Sequence, residues 1–295
     1  MSTSTERVFI IGGTGNVGSK TVNDLLAKNI PVTLYARQPE KVNKLFANNS
    51  LVQVVQGDYD DLAPLKEGLK GHTRLFLLIA DLLKMVDLKK KISSWAYEAG
   101  VKQIVDISSV WASMPWRSTS IGASHYYAEK AIYEIPNRGA FVTLRPGRFM
   151  SNLFFFDGPK GDYVVDTLEE NSTQGWISPN DIGAVAAVVL SEPVEKHADL
   201  VYELSGDLVT PAQRTQYLSR AIGREFTYKK ISPKEKYDAI MSIDHFNHAF
   251  AYTLAASLSS FDIQHHHISD GIIILLGREP ETLEKFIFDN KAAFK

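Results

Sequence analysis

The sequence predicts an α/β protein: a doubly wound parallel sheet with a smaller, mostly helical C-terminal part. Three observations carry this. Short apolar runs alternate with helical patterns through the first half, a glycine-rich turn joins the first run to the first helix, and the alternation stops near residue 150. Residues 7–11 read as a buried strand, followed by the turn and a helical pattern over 17–28. Strand 31–36 precedes a short helix over 39–46, and strand 51–56 precedes a helix over 61–69. Residues 75–79 form a fourth strand, and an amphipathic helix over 82–99 is stopped by Gly100. Residues 101–107 make a fifth strand, 123–137 a helix and 141–144 a sixth strand.

After Arg145-Pro146-Gly147 the rhythm changes. Aromatics cluster at Phe149 and Phe154 to Phe156, and turn formers fill 157–161. The first domain is expected to span 1–150, with a later stretch such as 180–204 (a helix over 180–190, a strand over 201–204) returning to it. Residues 151–295 are then a smaller substrate-binding part, with a helix started by Thr210-Pro211, a strand over 226–230 and mostly helical chain from Pro233 onward.

The totals narrow the function. The chain has 295 residues, 44% hydrophobic and 22% charged, which suits one large domain with an annex. A net charge of −2 argues against a broad grip on nucleic acid or an anionic membrane. With no cysteine, disulfides, thiolate nucleophiles and cysteine-ligated metals are excluded. The polar N-terminus lacks the pattern of a secretory signal, and the longest apolar runs, 75–80 and 272–276, are too short to span a bilayer. A cytoplasmic location is expected.

Gly12-Gly13-Thr14-Gly15-Asn16-Val17-Gly18 follows a strand and opens a helix. A dinucleotide site needs that arrangement: a sharp turn, close approach of backbone to pyrophosphate, and free helical N–H groups facing the anion. The alternative is a tight turn that binds nothing, and the position in the first strand–turn–helix unit favours the Rossmann-type site. The end of the second strand then selects the cofactor. It carries Arg37 and Lys41 with no carboxylate before Glu40, which suits the 2′-phosphate of NADP(H) better than the free ribose of NAD. Asp58 and Tyr59, after the third strand, can meet adenine or form a plain turn. Ile79 and Ala80 end the fourth strand, where small or apolar side chains let a cofactor lie against the backbone.

Several stretches together resemble the NmrA-like family of atypical short-chain dehydrogenases/reductases. They are the glycine turn, Ala36-Arg37-Gln38-Pro39-Glu40-Lys41, Gln56-Gly57-Asp58-Tyr59, Leu144-Arg145-Pro146-Gly147-Arg148-Phe149-Met150-Ser151-Asn152, and 276–286 near the C-terminus. The resemblance covers essentially the whole chain. It implies an NADP(H)-preferring domain with a small substrate domain. It also implies one of two functional kinds: a reductase, or a redox-sensing regulator that binds cofactor without turnover.

Catalytic residues stay open between two registers of one helix. Tyr126 and Lys130 have the i, i+4 spacing of the standard dehydrogenase pair, which puts both on one face. His125 and Glu129 instead match the family's His-x-x-x-Glu pattern, with His125 in the place of the lysine. That register is preferred. An imidazole of near-neutral pKa there could bond the nicotinamide ribose and donate a proton. Ser108 and Ser109 close the fifth strand, as ligand contacts or as caps. Trp111, Phe149 and Asn152 are the substrate-binding candidates, the two rings suiting a flat apolar acceptor. His265-His266-His267 is discounted as a metal site because adjacent residues do not converge on one ion. No metal is expected. The leading expectation is an NADPH-dependent reductase of a small flat acceptor. The rival is an NADP(H)-sensing protein with a regulatory protein partner, and a sugar-nucleotide epimerase is disfavoured because it normally uses the intact Tyr–Lys pair.

Overall fold

The computed structural model describes residues 6–244, 246–256 and 267–294. In chain order the first half gives β1 (Val8–Ile11), α1 (Asn16–Ala27), β2 (Val32–Ala36), α2 (Pro39–Leu45), β3 (Val52–Gln56) and α3 (Ala63–Gly68). Next come β4 (Arg74–Leu77), α4 (Met85–Glu98), β5 (Gln103–Ile107), α5 (Ser120–Tyr133) and β6 (Ala140–Pro146). The second half holds β7 (Arg148–Phe149), β8 (Pro159–Lys160), β9 (Tyr163–Asp166), β10 (Gln174–Ile177), α6 (Pro179–Ser191), α7 (Val194–His197), β11 (Val201–Leu204) and β12 (Asp207–Val209). It closes with α8 (Pro211–Ile222), β13 (Thr227–Lys230), α9 (Pro233–Met241), α10 (His248–Ala256), α11 (Gly271–Leu276) and α12 (Leu283–Asp289).

The chain divides into two units, one of residues 1–112, 124–145 and 182–202, the other of 113–123, 146–181 and 203–295. The main sheet has seven strands in the order β11-β6-β5-β4-β1-β2-β3, and the ladders joining β1 to β6 are parallel. This is the doubly wound, Rossmann-like α/β architecture expected from the alternation. β1, β2, β4 and β5 are buried along their whole length, which is why they read as continuous apolar runs rather than alternating ones. The strand order reverses between β1 and β4, so the sheet's crevice opens at their carboxyl ends. At the opposite end of β4, the buried Arg74 guanidinium is held by the Glu6 carboxylate, the Gln103 amide and the Glu192 carbonyl.

The second unit adds two three-stranded sheets to its helices, ordered β12-β10-β7 and β13-β9-β8. Of their strands only the one at 226–230 is legible in the sequence. The others span four residues at most, too short to show a period. Its core packs Met150, Leu153, Val164, Trp176, Leu218, Phe286 and Ile287. Phe154 stacks on Phe294 and meets Phe286, while Phe156 meets Phe246 and Phe250 edge-on. Those two rings belong to hydrophobic packing.

Inside this unit lies a buried charge network. The Asp166 carboxylate accepts from Arg148 Nη2 at 3.0 Å, Arg214 Nη2 at 3.0 Å and Lys236 Nζ at 2.9 Å, and Arg148 Nε also donates to Asp157 at 2.9 Å. Three cations therefore face two carboxylates. The excess charge is met by the buried Trp176 ring, whose centroid lies 4.4 Å from the Arg148 and 5.5 Å from the Arg214 guanidinium carbon. Burial pushes the Asp166 carboxyl up, but Lys236, Arg148 and Arg214 outweigh it and hold the group well below the usual aspartate range. Its stabilisation is thus fully present above about pH 4 and lost as pH falls through the depressed folded-state value. Asp166→Ala leaves the cations underpaired and is expected to cost about 3–5 kcal/mol in urea unfolding at pH 7. The gap from the parent protein should shrink on strong acidification; an unchanged midpoint at pH 7 would show that the network contributes no net stability.

Candidate active site

The glycine turn is shaped by contacts that exclude side chains. Gly12 has φ +85°, the left-handed region that glycine enters freely. A Cβ on Gly18 would stand 2.2 Å from the Gly12 carbonyl oxygen, so α1 rests directly on the turn. Gly15 differs: a Cβ there would meet nothing nearer than 3.7 Å. It is the N-cap of α1 and makes no side-chain cap bond, and the first turn holds no acidic residue. Among the described residues no side chain accepts from the leading N–H groups of α1, whose first residue is exposed, so the positive end of the helix dipole faces outward. Gly15 and Asn16 are exposed and Thr14 half-buried, whereas Val17 and Gly18 turn inward. Fixed, bare and uncapped, the turn fits a pyrophosphate.

Beyond β2, Arg37 and Lys41 are both exposed at the start of α2, and among the described residues neither has a carboxylate within ion-pair distance. After β3, Asp58 Oδ1 accepts from the backbone N–H groups of Asp60 at 2.9 Å and Asp61 at 3.3 Å, so this carboxylate shapes its own turn. Tyr59 is half-buried beside it. Gly57 lies under Tyr35, whose hydroxyl donates to the Asp58 carbonyl. β4 ends at Leu77, so Ile79 and Ala80 lie in the loop past its end, Ile79 buried and Ala80 exposed. Leu78 in the same loop packs against Gly12.

A line of polar groups runs along one side of β5 toward its carboxyl end, since alternate residues of a strand share a face. Asp106 and Lys89 of α4 form a fully buried ion pair at 2.6 Å, and Lys89 Nζ also donates to the Ile107 carbonyl at 2.9 Å. Burial pushes the Asp106 carboxyl up to about 6 against the pull of Lys89, with Glu129 adding to the rise. Ser108 Oγ donates to Glu129 Oε1 at 2.5 Å. Glu129 also takes Arg145 in a two-pronged grip, Nε at 3.0 Å and Nη2 at 2.5 Å. His125, one turn before Glu129 on α5, is buried, and among the described residues its Nδ1 has no hydrogen-bond partner.

This geometry decides which face of α5 looks inward. His125, Ala128, Glu129 and Ile132 are buried, whereas Tyr126, Tyr127 and Lys130 are exposed. Lys130 pairs with Glu134 on the surface and lines a groove between α4 and α5. The expectation of a near-neutral imidazole at His125 needs correcting. Burial and the nearby Lys89 ammonium hold its pKa well below the usual histidine range, so the ring is neutral at physiological pH. Ser109 acts as a cap, its hydroxyl accepting from the Trp111 N–H at 3.2 Å. Trp111 is half-buried in the first unit. In the second, Phe149 ends β7 and is half-buried, and Asn152 accepts on its carbonyl from the N–H groups of Phe155, Phe156 and Asp157. Among the described residues no group of three His, Asp or Glu could hold a metal ion; His265 and His266 lie outside those residues, and His267 is exposed. No helix of the described residues is long and apolar enough to cross a membrane.

Lys89, Asp106, Glu129 and Arg145 were not singled out as site residues from sequence. Asp106 left a signal, a lone acid inside the apolar run Ile104-Val105-Asp106-Ile107. Lys89, in the run Leu88-Lys89-Lys90-Lys91, left none.

Comparison with known proteins agrees with the fold. The model of the NmrA-like family matches residues 4–286. The (4-alkanoyl-5-oxo-2,5-dihydrofuran-3-yl)methyl phosphate reductase of Streptomyces griseus is 30% identical over 237 residues, covering 80% of each chain. An NAD(P)H azoreductase of Xenophilus azovorans is 26% identical over 298 residues, covering 97% of this chain and 99% of its own. Among solved structures, the NADPH-dependent quinone oxidoreductase of Escherichia coli complexed with NADPH shares the fold, with a TM-score of 0.79 at 24% identity over 96% of this chain and 99% of that one. The chain belongs to the NmrA-like family.

Proposed function

We propose that this protein is an NADPH-dependent reductase that passes hydride to a flat, apolar acceptor of the quinone, enone or imine type. The observation that carries the reading is the bare, uncapped start of α1 beside two exposed cations that have no carboxylate partner among the described residues. Basic side chains at a helix start are unfavourable unless an anion sits there. The relatives described above include a reductase and an NAD(P)H azoreductase, which supports the same class of chemistry.

In this reading the N–H groups of Thr14 and Asn16 bind the pyrophosphate with Gly15 leaving room for it, while Val17 and Gly18 hold the turn in shape. Arg37 takes the 2′-phosphate in a forked grip and Lys41 adds a point charge. Asp58 and Tyr59 flank adenine, the carboxylate through whatever its turn leaves free. Ile79 and Ala80 lie along the cofactor toward the nicotinamide. The bound cofactor supplies the hydride, and the chain orients it and excludes water. His125, neutral, serves as a hydrogen-bond partner of the ribose and not as a stored acid. Tyr126 and Lys130, pointing outward and paired at the surface, take no part. Trp111, in the first unit with the turn, offers an apolar ring to the acceptor.

Three outcomes test this. The purified protein should oxidise NADPH with at least one member of a quinone, enone and imine panel. Tight binding with no turnover on any acceptor would instead favour the sensing alternative. Arg37→Ala should weaken NADPH about 10–100-fold by isothermal titration while leaving NADH nearly unchanged, since a bond to a charged group contributes roughly 1.5–3 kcal/mol. Equal loss for both cofactors would remove Arg37 from the 2′-phosphate. Gly15→Ala should unfold within about 1 kcal/mol of the parent, its Cβ meeting only the Gly12 carbonyl at 3.7 Å, yet bind either cofactor at least about tenfold more weakly. Unimpaired binding would put the pyrophosphate elsewhere.

A further inference from the structure

We infer that Glu129 is a positioning residue: it fixes the Ser108 hydroxyl as a hydrogen-bond acceptor toward the bound ligand, so Ser108 is not the proton donor of the reduction. The inference rests on the proposed reductase reading for what the ligand is, and on the geometry for what the hydroxyl can do.

A serine hydroxyl carries one proton and two lone pairs. At Ser108 that proton points to Glu129 Oε1, 2.5 Å away. The direction is forced. Glu129 receives Arg145 on both oxygens, at 3.0 and 2.5 Å, and a carboxylate clamped by a guanidinium has only acceptor sites to offer. Neither partner can drift, because Ser108 N donates to the Leu144 carbonyl in the ladder with β6, and Arg145 follows Leu144 on that strand. Ser108 is 4% and Glu129 9% exposed, so water does not compete freely for the bond.

The neighbouring Ser109 hydroxyl caps its own turn, accepting from the Trp111 N–H. What Ser108 has left is lone pairs at the carboxyl end of β5, the region that faces the nicotinamide half of a dinucleotide whose pyrophosphate lies at β1. Its complement is a ligand N–H or O–H. Two sources carry that chemistry: the carboxamide of the nicotinamide and a protonated atom of the acceptor.

The test compares Ser108→Ala, Ser108→Thr, Glu129→Gln and the Ser108→Ala/Glu129→Gln pair in the full chain, each checked for its unfolding midpoint. The probes are NADPH, its 3-acetylpyridine analogue (which lacks the carboxamide N–H) and one quinone. Ser108→Ala should keep kcat for NADPH oxidation within about tenfold of the parent, with an unmoved pH profile. A fall of about 100-fold or more, the usual loss on removing a proton donor, would overturn the inference. Ser108→Thr, which keeps the hydroxyl, should retain the parent's affinities. Glu129→Gln, whose amide can turn an N–H toward the Ser108 oxygen and so reverse the bond, should weaken the same ligand that Ser108→Ala weakens, with no further loss in the pair; independent, additive losses would overturn the coupling.

The arms separate the two sources. Loss of the preference for NADPH over the acetylpyridine analogue assigns the carboxamide, and a raised KM for the quinone alone assigns the acceptor. If the parent protein binds NADPH but oxidises none, the reductase reading falls while the affinity comparison still tests the Ser108–Glu129 coupling. A chain that binds neither dinucleotide overturns both.

Discussion

The approach of Gly18 to the Gly12 carbonyl is the constraint on which the first unit depends. A 2.2 Å clash awaits any side chain there, so α1 can sit on the turn only if residue 18 is glycine. That contact sets the angle at which α1 leaves β1, and the angle aims its N–H groups outward. The same helix is gripped from its other side. Gly183 of α6 packs so closely that a Cβ would stand 2.7 Å from Lys20 Cβ and from the Val17 carbonyl, and Thr21 bonds the Gly183 carbonyl. Position, direction and bareness of the start of α1 thus follow from close backbone packing.

A second organising feature is the polar line under α4 and α5. Four ionic groups, Lys89, Asp106, Glu129 and Arg145, balance pairwise, and the one imidazole among them stays neutral. Low local dielectric makes such an arrangement stiff, because each group would be costly to leave unpaired. The strand end therefore presents hydrogen-bonding atoms in fixed directions, with little freedom to reorient as a ligand arrives.

Much of this could be read from sequence, and what could not has a physical reason. The strands of the main sheet were legible because burial on both faces demands continuous apolar runs, and the glycine turn because its steric needs admit one residue type. Helix phase was not. Tyr126 with Lys130 and His125 with Glu129 both obey the spacing of four, and spacing alone does not say which pair faces the sheet. The neighbours decide: Ser108 and Arg145 reach Glu129 from β5 and β6, strands distant in sequence. The small sheets of the second unit escaped because strands of two to four residues are defined by their partners more than by their composition. The ion network around Asp166 joins residues from 148 to 236, a convergence no local pattern announces.

The exposed pair beyond β2 has a consequence of another kind. Arg37 and Lys41 support nothing in the fold, whereas Gly12 and Gly18 cannot change without disturbing it. Mutational drift should then meet very different resistance at the two places. In the proposed reading, the residues that would discriminate one dinucleotide from its phosphorylated relative are free to vary, while the glycines that shape the turn are locked by architecture. A lineage carrying this scaffold could exchange one cellular pool of reducing equivalents for another in a few substitutions, without passing through an unfolded ancestor.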